Sequence, residues 1–350
     1  MTEATLEPAI TEIKPIPDVH SPALDKALAY RSSIESLAAD LVKGGLRNIF
    51  LVGSGGGLLT HEGLQYLMET RSARLATFAL SANEFNYRAP ASLGAGSLVV
   101  LASHTGTTPE VVEAARFAKS RGATVVAATK LPESPLAQAS DVAWTYVDDW
   151  HEGDPKQICL MLLGLGLLKE TGEMGADEHA AHIRTLQALP DALLAVVRQG
   201  EALNRAIAEG CKDAPVVYVL GAGPNHGTAY CLAMCYLQEM QWRHAASFDS
   251  AEFLHGAMEV VREDTAVIQY LGEEATRPID ERAKTFLQKY TQKAYFVDSK
   301  DFELPGIEAS QRGFASHFAL DALMSRLSQH FEIVSGHNLK NRRYMFKVEY

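Results

Sequence analysis

The chain repeats itself, and the repeat decides its architecture. Asn48-Ile49-Phe50-Leu51-Val52 is an apolar run that ends in the turn Gly53-Ser54-Gly55-Gly56-Gly57, with an amphipathic helical pattern through Leu67. Val216-Val217-Tyr218-Val219-Leu220-Gly221-Ala222-Gly223 does the same and leads into a helical pattern ending near Trp242. Gly53 and Gly221 stand 168 positions apart, and so do Glu84 in Ser81-Ala82-Asn83-Glu84-Phe85 and Glu252 in Ser250-Ala251-Glu252-Phe253. The apolar strand Ser97 to Ala102 pairs with Thr265 to Tyr270 at the same offset. Each copy then continues into a helix, Pro109 to Ser120 or Pro278 to Tyr290, and a further strand, Ala123 to Ala128 or Ala294 to Val297. Strands alternating with helices of this length specify doubly wound parallel α/β layers, because a parallel crossover needs a helix to return the chain. The expected organisation is a tail (1–29), a first copy (30–165), a connector (166–204) with a helical pattern over Ala176 to Ala208, a second copy (205–330) and a tail (331–350).

Ligands in such sheets bind beyond the carboxyl ends of the strands, so four loops matter: 53–57, 103–108, 221–227 and 271–277. The most informative is Ser103-His104-Thr105-Gly106-Thr107-Thr108, which follows an apolar strand and precedes a helix that Pro109 can open. Short hydroxyls, a glycine backbone and free N–H groups at a positive helix end are what a phosphate needs, without any lysine. An ordinary helix cap with spare hydroxyls reads almost as well from this loop alone. The second copy instead has Leu271-Gly272-Glu273-Glu274-Ala275-Thr276, where two carboxylates repel an anion. The glycine turn fails as a dinucleotide fingerprint because position 58 is Leu, and no Walker lysine is present, so no cofactor is signalled.

Charge agrees with a small substrate. With 32 Lys+Arg against 43 Asp+Glu the net charge is −11, which disfavours nucleic acid or an anionic membrane as partner but leaves room for one phosphate in a local pocket. The longest apolar run, Ile158 to Leu168, is far short of the roughly 20 residues that span a bilayer. Met1-Thr2-Glu3-Ala4 lacks a secretory leader's basic start. Four cysteines (Cys159, Cys211, Cys231, Cys235) show no C-x-x-C and no metal spacing. They suit core thiols in a reducing cytoplasm.

In the second copy, Glu239 lies among Leu237, Met240 and Trp242 late in the helix, an apolar setting expected to raise its pKa and suit it to general-base work. His255, in Phe253-Leu254-His255-Gly256, follows a strand-like Ala245 to Phe248 and a cap at Asp249 or Ser250. Each alone reads equally well as a solvated or structural side chain.

Together these residues resemble the double sugar isomerase (SIS) domain family. The tandem copies, the S-x-T-G-x-T-x-E loop and a Glu followed 16 residues later by the His of an E-F-L-H-G segment are similar to the isomerase half of glutamine–fructose-6-phosphate aminotransferase. The ending Arg342-Arg343-Tyr344-Met345-Phe346-Lys347-Val348-Glu349-Tyr350 resembles that of the deglycases for fructoselysine 6-phosphate and fructose-aspartate 6-phosphate. The resemblance implies two tandem SIS-type doubly wound domains and a homodimer with shared active sites. It makes Glu239 the proton-shuttling base and His255 the group that opens the sugar ring from the neighbouring subunit. It also implies a sugar-phosphate site built from Ser54, Gly55, Gly57, Ser103, His104, Thr105, Gly106, Thr108 and Ser134, with Arg343 and Tyr344 on a C-terminal tail that closes it. There are departures: Gly57 stands where the family has a serine, and Tyr236-Leu237-Gln238 where the aminotransferase has lysines.

The implied reaction is cleavage of a 6-phosphorylated Amadori product to glucose 6-phosphate and a free amine, with no metal or organic cofactor. An aminosugar-6-phosphate isomerase or deaminase, or an aminotransferase-type ketose–aldose isomerase, remains open on the same scaffold. A sugar-phosphate-sensing regulator would dispense with the Glu239/His255 pair and add a basic nucleic-acid-binding segment, which the sequence lacks. The released amine is undetermined: Arg277, Glu274, Lys156 and Arg342 are the charged candidates for its pocket.

Overall fold

The computed structural model describes residues 6–147 and 152–349. Met1 to Ala4 and Tyr350, both used in reading the sequence, lie outside the described residues. Two compact units are formed. The first contains Val19–Asp191 and Pro305–Ala315; the second contains the residues up to Asp18, Ala192–Leu304 and those from Ser316 on.

The first unit is built on a parallel five-stranded sheet: β1 (Asn48–Gly53), β2 (Ala76–Ser81), β3 (Ser97–Ser103), β4 (Thr124–Thr129) and β5 (Val142–Thr145), in the order β2-β1-β3-β4-β5. Every residue of β1 and β3 is buried, as expected of central strands covered by helices on both faces. One layer of the core joins Phe50, Val52, Val99, Leu101 and Val125 to Val111 and Ala115 of the Pro109–Ser120 helix. Full burial of each such Val, Leu or Phe is worth roughly 1.5–3 kcal/mol. The apolar run Ile158 to Leu168 falls inside the Pro155–Glu170 helix and is buried throughout. No helix among the described residues is long and apolar enough to cross a membrane.

The second unit repeats the plan with one strand fewer: β6 (Val217–Gly221), β7 (Ala245–Asp249), β8 (Ala266–Leu271) and β9 (Ala294–Asp298), all parallel, ordered β7-β6-β8-β9. The offset of 168 holds at the strand ends Gly53/Gly221 and Ser103/Leu271. It also holds at the helix caps Ser81 and Asp249, whose side chains accept N–H groups of the following turn.

The helical pattern expected over Ala176 to Ala208 takes the form of two helices, Ala176–Gln199 and Glu201–Cys211, separated at Gly200. The helix after β6 does not stay α-helical to its end; Asn225–Cys231 is α, and Leu232–Met240 is a π-helix.

Candidate active site

In the first unit, β3 ends at Ser103 and the loop to Pro109 is tied down from within. The Ser103 hydroxyl accepts the Gly106 N–H (3.2 Å) and shares a hydrogen bond with the Thr108 hydroxyl (3.3 Å), while the Thr105 and Thr107 hydroxyls pair at 2.8 Å. Gly106 has φ +67, and a Cβ there would lie 2.4 Å from the Ser134 hydroxyl and 2.6 Å from that of Thr129. Glycine is therefore required twice over, for the left-handed turn and for the close approach. Ser134 is the buried cap of the Pro135–Ala139 helix and accepts the Ala137 N–H, so it buttresses the loop. Thr108, the cap residue of the Pro109–Ser120 helix, spends no side-chain bond on the helix. The result is a cluster of hydroxyls at a helix N-terminus, a cradle suited to an oxyanion.

The adjoining glycine turn has Gly55 at φ +54. A Cβ at Gly57 would lie 2.3 Å from the Ala102 carbonyl oxygen, so the serine of the family cannot be accommodated on this backbone. The Ser54 carbonyl accepts the Gly57 N–H (3.1 Å), closing the turn.

His104 was legible as a loop residue, but its setting was not. Its Nδ1 is 2.7 Å from the Tyr146 hydroxyl. The Lys156 ammonium lies 5.5 Å above the centre of the Tyr146 ring and 2.8 Å from an Asp154 carboxylate oxygen, and the other Asp154 oxygen accepts from Thr60. Lys156 is buried, and its pairing with the half-buried Asp154 commits it to the first unit's interior. Nearby His61 is fully buried, which pushes its pKa down to about 4. This network was not legible in the sequence, because the links that join its parts, His104 to Tyr146 and Thr60 to Asp154, span 42 and 94 residues.

In the second unit, Glu239 sits in the last turn of the π-helix, and the apolar surroundings expected for it are not what it has. The Arg342 Nη2 approaches its Oε1 to 2.8 Å, with both side chains largely covered. The tail brings the guanidinium there because it is anchored on either side. Asn341 exchanges hydrogen bonds with the Glu7 backbone, and Arg343 stacks on the Trp242 ring (4.1 Å to its centre). Trp242 ends the helix at φ +54, with Arg243 N–H closing onto the Leu237 carbonyl and Gln241 N–H onto that of Tyr236. Tyr344 is exposed.

His255 follows the short Ser250–Phe253 helix capped by Asp249, its N–H bonded to the Glu252 carbonyl and its side chain exposed. Among the described residues no hydrogen bond or ion pair joins it to Glu239.

The carboxylates of the second-copy loop have found partners of their own. Glu274 is buried, accepting from the Ser316 hydroxyl (2.7 Å) and the Asn225 amide (3.1 Å), and burial raises its pKa. Glu273 accepts from the Ser299 hydroxyl (3.1 Å). Arg277 is spent on Asp298 in a two-pronged pair (2.9 and 2.7 Å) and on Glu281. Of the charged candidates for an amine pocket, Arg342 alone meets a residue with a proposed role in the chemistry.

A SIS-domain family model matches residues 46–152. The fructosamine deglycase FrlB of Bacillus subtilis is 33% identical over 321 residues, which cover 91% of this chain and 97% of that protein. The chain belongs to the SIS-domain family. A fructoselysine 6-phosphate deglycase of Escherichia coli O157:H7 is 27% identical across 89% of both this SIS protein and that enzyme. A solved structure described as a putative phosphosugar isomerase, also from B. subtilis, superposes with a TM-score of 0.86 at 31% identity, covering 93% of this chain and all of that one. The two parallel sheets are thus the SIS fold in tandem. The cysteines are free in this SIS protein; burial lifts the Cys211 thiol to about 12. No group of three or more metal-ligating side chains forms among the described residues.

Proposed function

We propose that this protein is a phosphosugar-amine deglycase, which splits a fructosamine 6-phosphate into glucose 6-phosphate and a free amine. The observation that carries the reading is the 33% identity to a fructosamine deglycase along 97% of that enzyme's length. The first copy (30–165) is assigned phosphate binding, through Ser103, Thr105, Gly106 and Thr108. The second copy (205–330) is assigned the proton transfers. We assign the protein to the cytoplasm as a homodimer, with His255 serving the neighbouring subunit.

The substrate carries a ketone at C2 and an amine nitrogen on C1. His255 assists ring opening. Glu239 takes a proton from C1, the C–H electrons form a C1–C2 double bond, and the C2 oxygen gains a proton. Return of a proton to C2 leaves a C1–nitrogen double bond. Water adds at C1, the C1–N bond breaks, and the amine departs as C1 becomes the aldehyde of glucose 6-phosphate. Holding the remote phosphate lets binding energy orient C1 against the base.

A coupled assay of glucose 6-phosphate release from synthetic fructosamine 6-phosphates tests this. Glu239→Gln keeps shape and removes the base, so kcat should fall by roughly 100- to 10,000-fold, with glucose 6-phosphate affinity unchanged. Undiminished turnover would remove Glu239 from the role. Interconversion of fructose 6-phosphate and glucose 6-phosphate without amine release would instead make the protein an isomerase.

A further inference from the structure

We propose that Arg342 selects the substrate by its amine, binding a carboxylate placed next to the nitrogen, so that the substrates are conjugates of α-amino groups of amino acids. This rests on the deglycase reading. Two observations carry it. The guanidinium donates through Nη2 to Glu239 Oε1 at 2.8 Å, and through Nη1 to the Leu339 and Asn341 carbonyls at 2.6 and 3.0 Å. Its Nε is buried with no hydrogen-bond partner among the described residues. Nε and Nη2 form one edge of the guanidinium, the edge that takes a carboxylate through two parallel bonds. Here that edge holds one oxygen where it has room in its bonding for two.

The chemistry of the substrate supplies the missing acceptor. The proton that Glu239 removes is on C1. In a conjugate made through an α-amino group, the carboxyl carbon is three bonds from C1 and within about 4 Å of it. A substrate that offers its C1 hydrogen to Glu239 therefore brings its own carboxylate to the guanidinium beside Glu239. The carboxylate takes the Nε/Nη2 edge, satisfies the orphaned donor and releases the Glu239 oxygen toward C1. A conjugate made through the side-chain amine of lysine has its carboxylate seven bonds from C1, about 8 Å away when extended, and misses that edge. The other charged candidates do not compete for the role: the Arg277 Nε is also without a partner among the described residues, but its Nη2 already carries the Asp298 and Glu281 carboxylates, and Lys156 is paired with Asp154.

The test compares 6-phosphofructosyl-glycine with 6-phosphofructosyl-glycinamide, which differ only in replacing the carboxylate by a neutral amide, with the lysine side-chain conjugate as a third arm. Wild type should favour glycine over glycinamide by about 10- to 100-fold in kcat/KM, as fits a bond to a charged group. The lysine conjugate should fall with glycinamide. Arg342→Gln should bring the ratio close to one, and Arg342→Lys should restore part of it. A merely structural arginine would lower both substrates together and leave the ratio alone. A wild-type ratio near one, which needs no variant to measure, overturns the assignment, as does a ratio that survives Arg342→Gln. Glucose 6-phosphate released equally from all three conjugates sinks the Arg342 assignment alone, whereas none released from any sinks the deglycase reading with it.

Discussion

A single buried carboxyl shows how a residue can be held against its own chemistry. Asp280 is 1% exposed; it accepts the Ser250 hydroxyl at 2.6 Å, and its second oxygen has no partner among the described residues. Burial, with the nearby Glu274 carboxylate adding to it, pushes its pKa up from 3.8 to about 7. The folded chain therefore prefers Asp280 neutral and the unfolded chain ionises it near pH 4. The stability it contributes is complete below the unfolded value and is lost as pH rises towards 7, at a cost of about 4 kcal/mol when fully ionised. Asp280→Asn retains an acceptor for Ser250 and removes the charge. Relative to wild type the variant should gain roughly 2–3 kcal/mol between pH 5 and pH 8, measured by urea unfolding at each pH. A stability difference that stays flat across that range would show that Asp280 ionises in the fold without penalty.

The element that bears Glu239 is wound as a π-helix over Leu232–Met240, a rare winding that is frequent at functional sites. A π turn takes up about one residue more than an α turn, so taking out one residue, Met234, should let this segment wind as an α-helix while leaving Glu239 on nearly its original bearing beside Arg342. Turnover and glucose 6-phosphate binding should then both persist, within about 10-fold of wild type. A loss of turnover as deep as in Glu239→Gln, with glucose 6-phosphate binding intact, would mean that the π winding itself is needed to place Glu239. This element also marks where sequence reading stopped. Alternation of apolar runs and helical patterns located β1, β3, β4 and β6 to β9 to within a residue or two, helped at the sheet centres by burial on both faces, but it passed over the edge strands β2 and β5, which are only partly buried. The π register left no such trace, since Leu232, Ala233, Cys235 and Leu237 are buried just as an α-helical stripe would be. The ion pair to Arg342 was out of reach for another reason: its partners are 103 residues apart, and only the folded tail joins them.

At the scale of the whole molecule, the two copies have diverged at one corresponding loop. Both copies place a loop after the third strand in sequence, at Ser103 and at Leu271, and both sheets keep the same strand order around it. In the first copy that loop is lined by hydroxyls and opens onto the Pro109–Ser120 helix. In the second, the chain supplies its own anion: the Glu274 carboxylate takes the Ser316 hydroxyl and the Asn225 amide, donors that would otherwise be open to a ligand. An ordered carboxylate bonded on both oxygens excludes a phosphate sterically, and when ionised it repels one as well. Glucose 6-phosphate titrated calorimetrically into the intact protein should therefore saturate at one site per chain, although the fold offers two related loops. Ser103→Ala with Thr105→Ala should weaken that single site by about 10-fold or more, by loss of hydrogen bonds to a charged group. Two sites per chain, or a site untouched by the double substitution, would mean that the phosphate is held elsewhere and that the hydroxyl cluster serves only to close the loop.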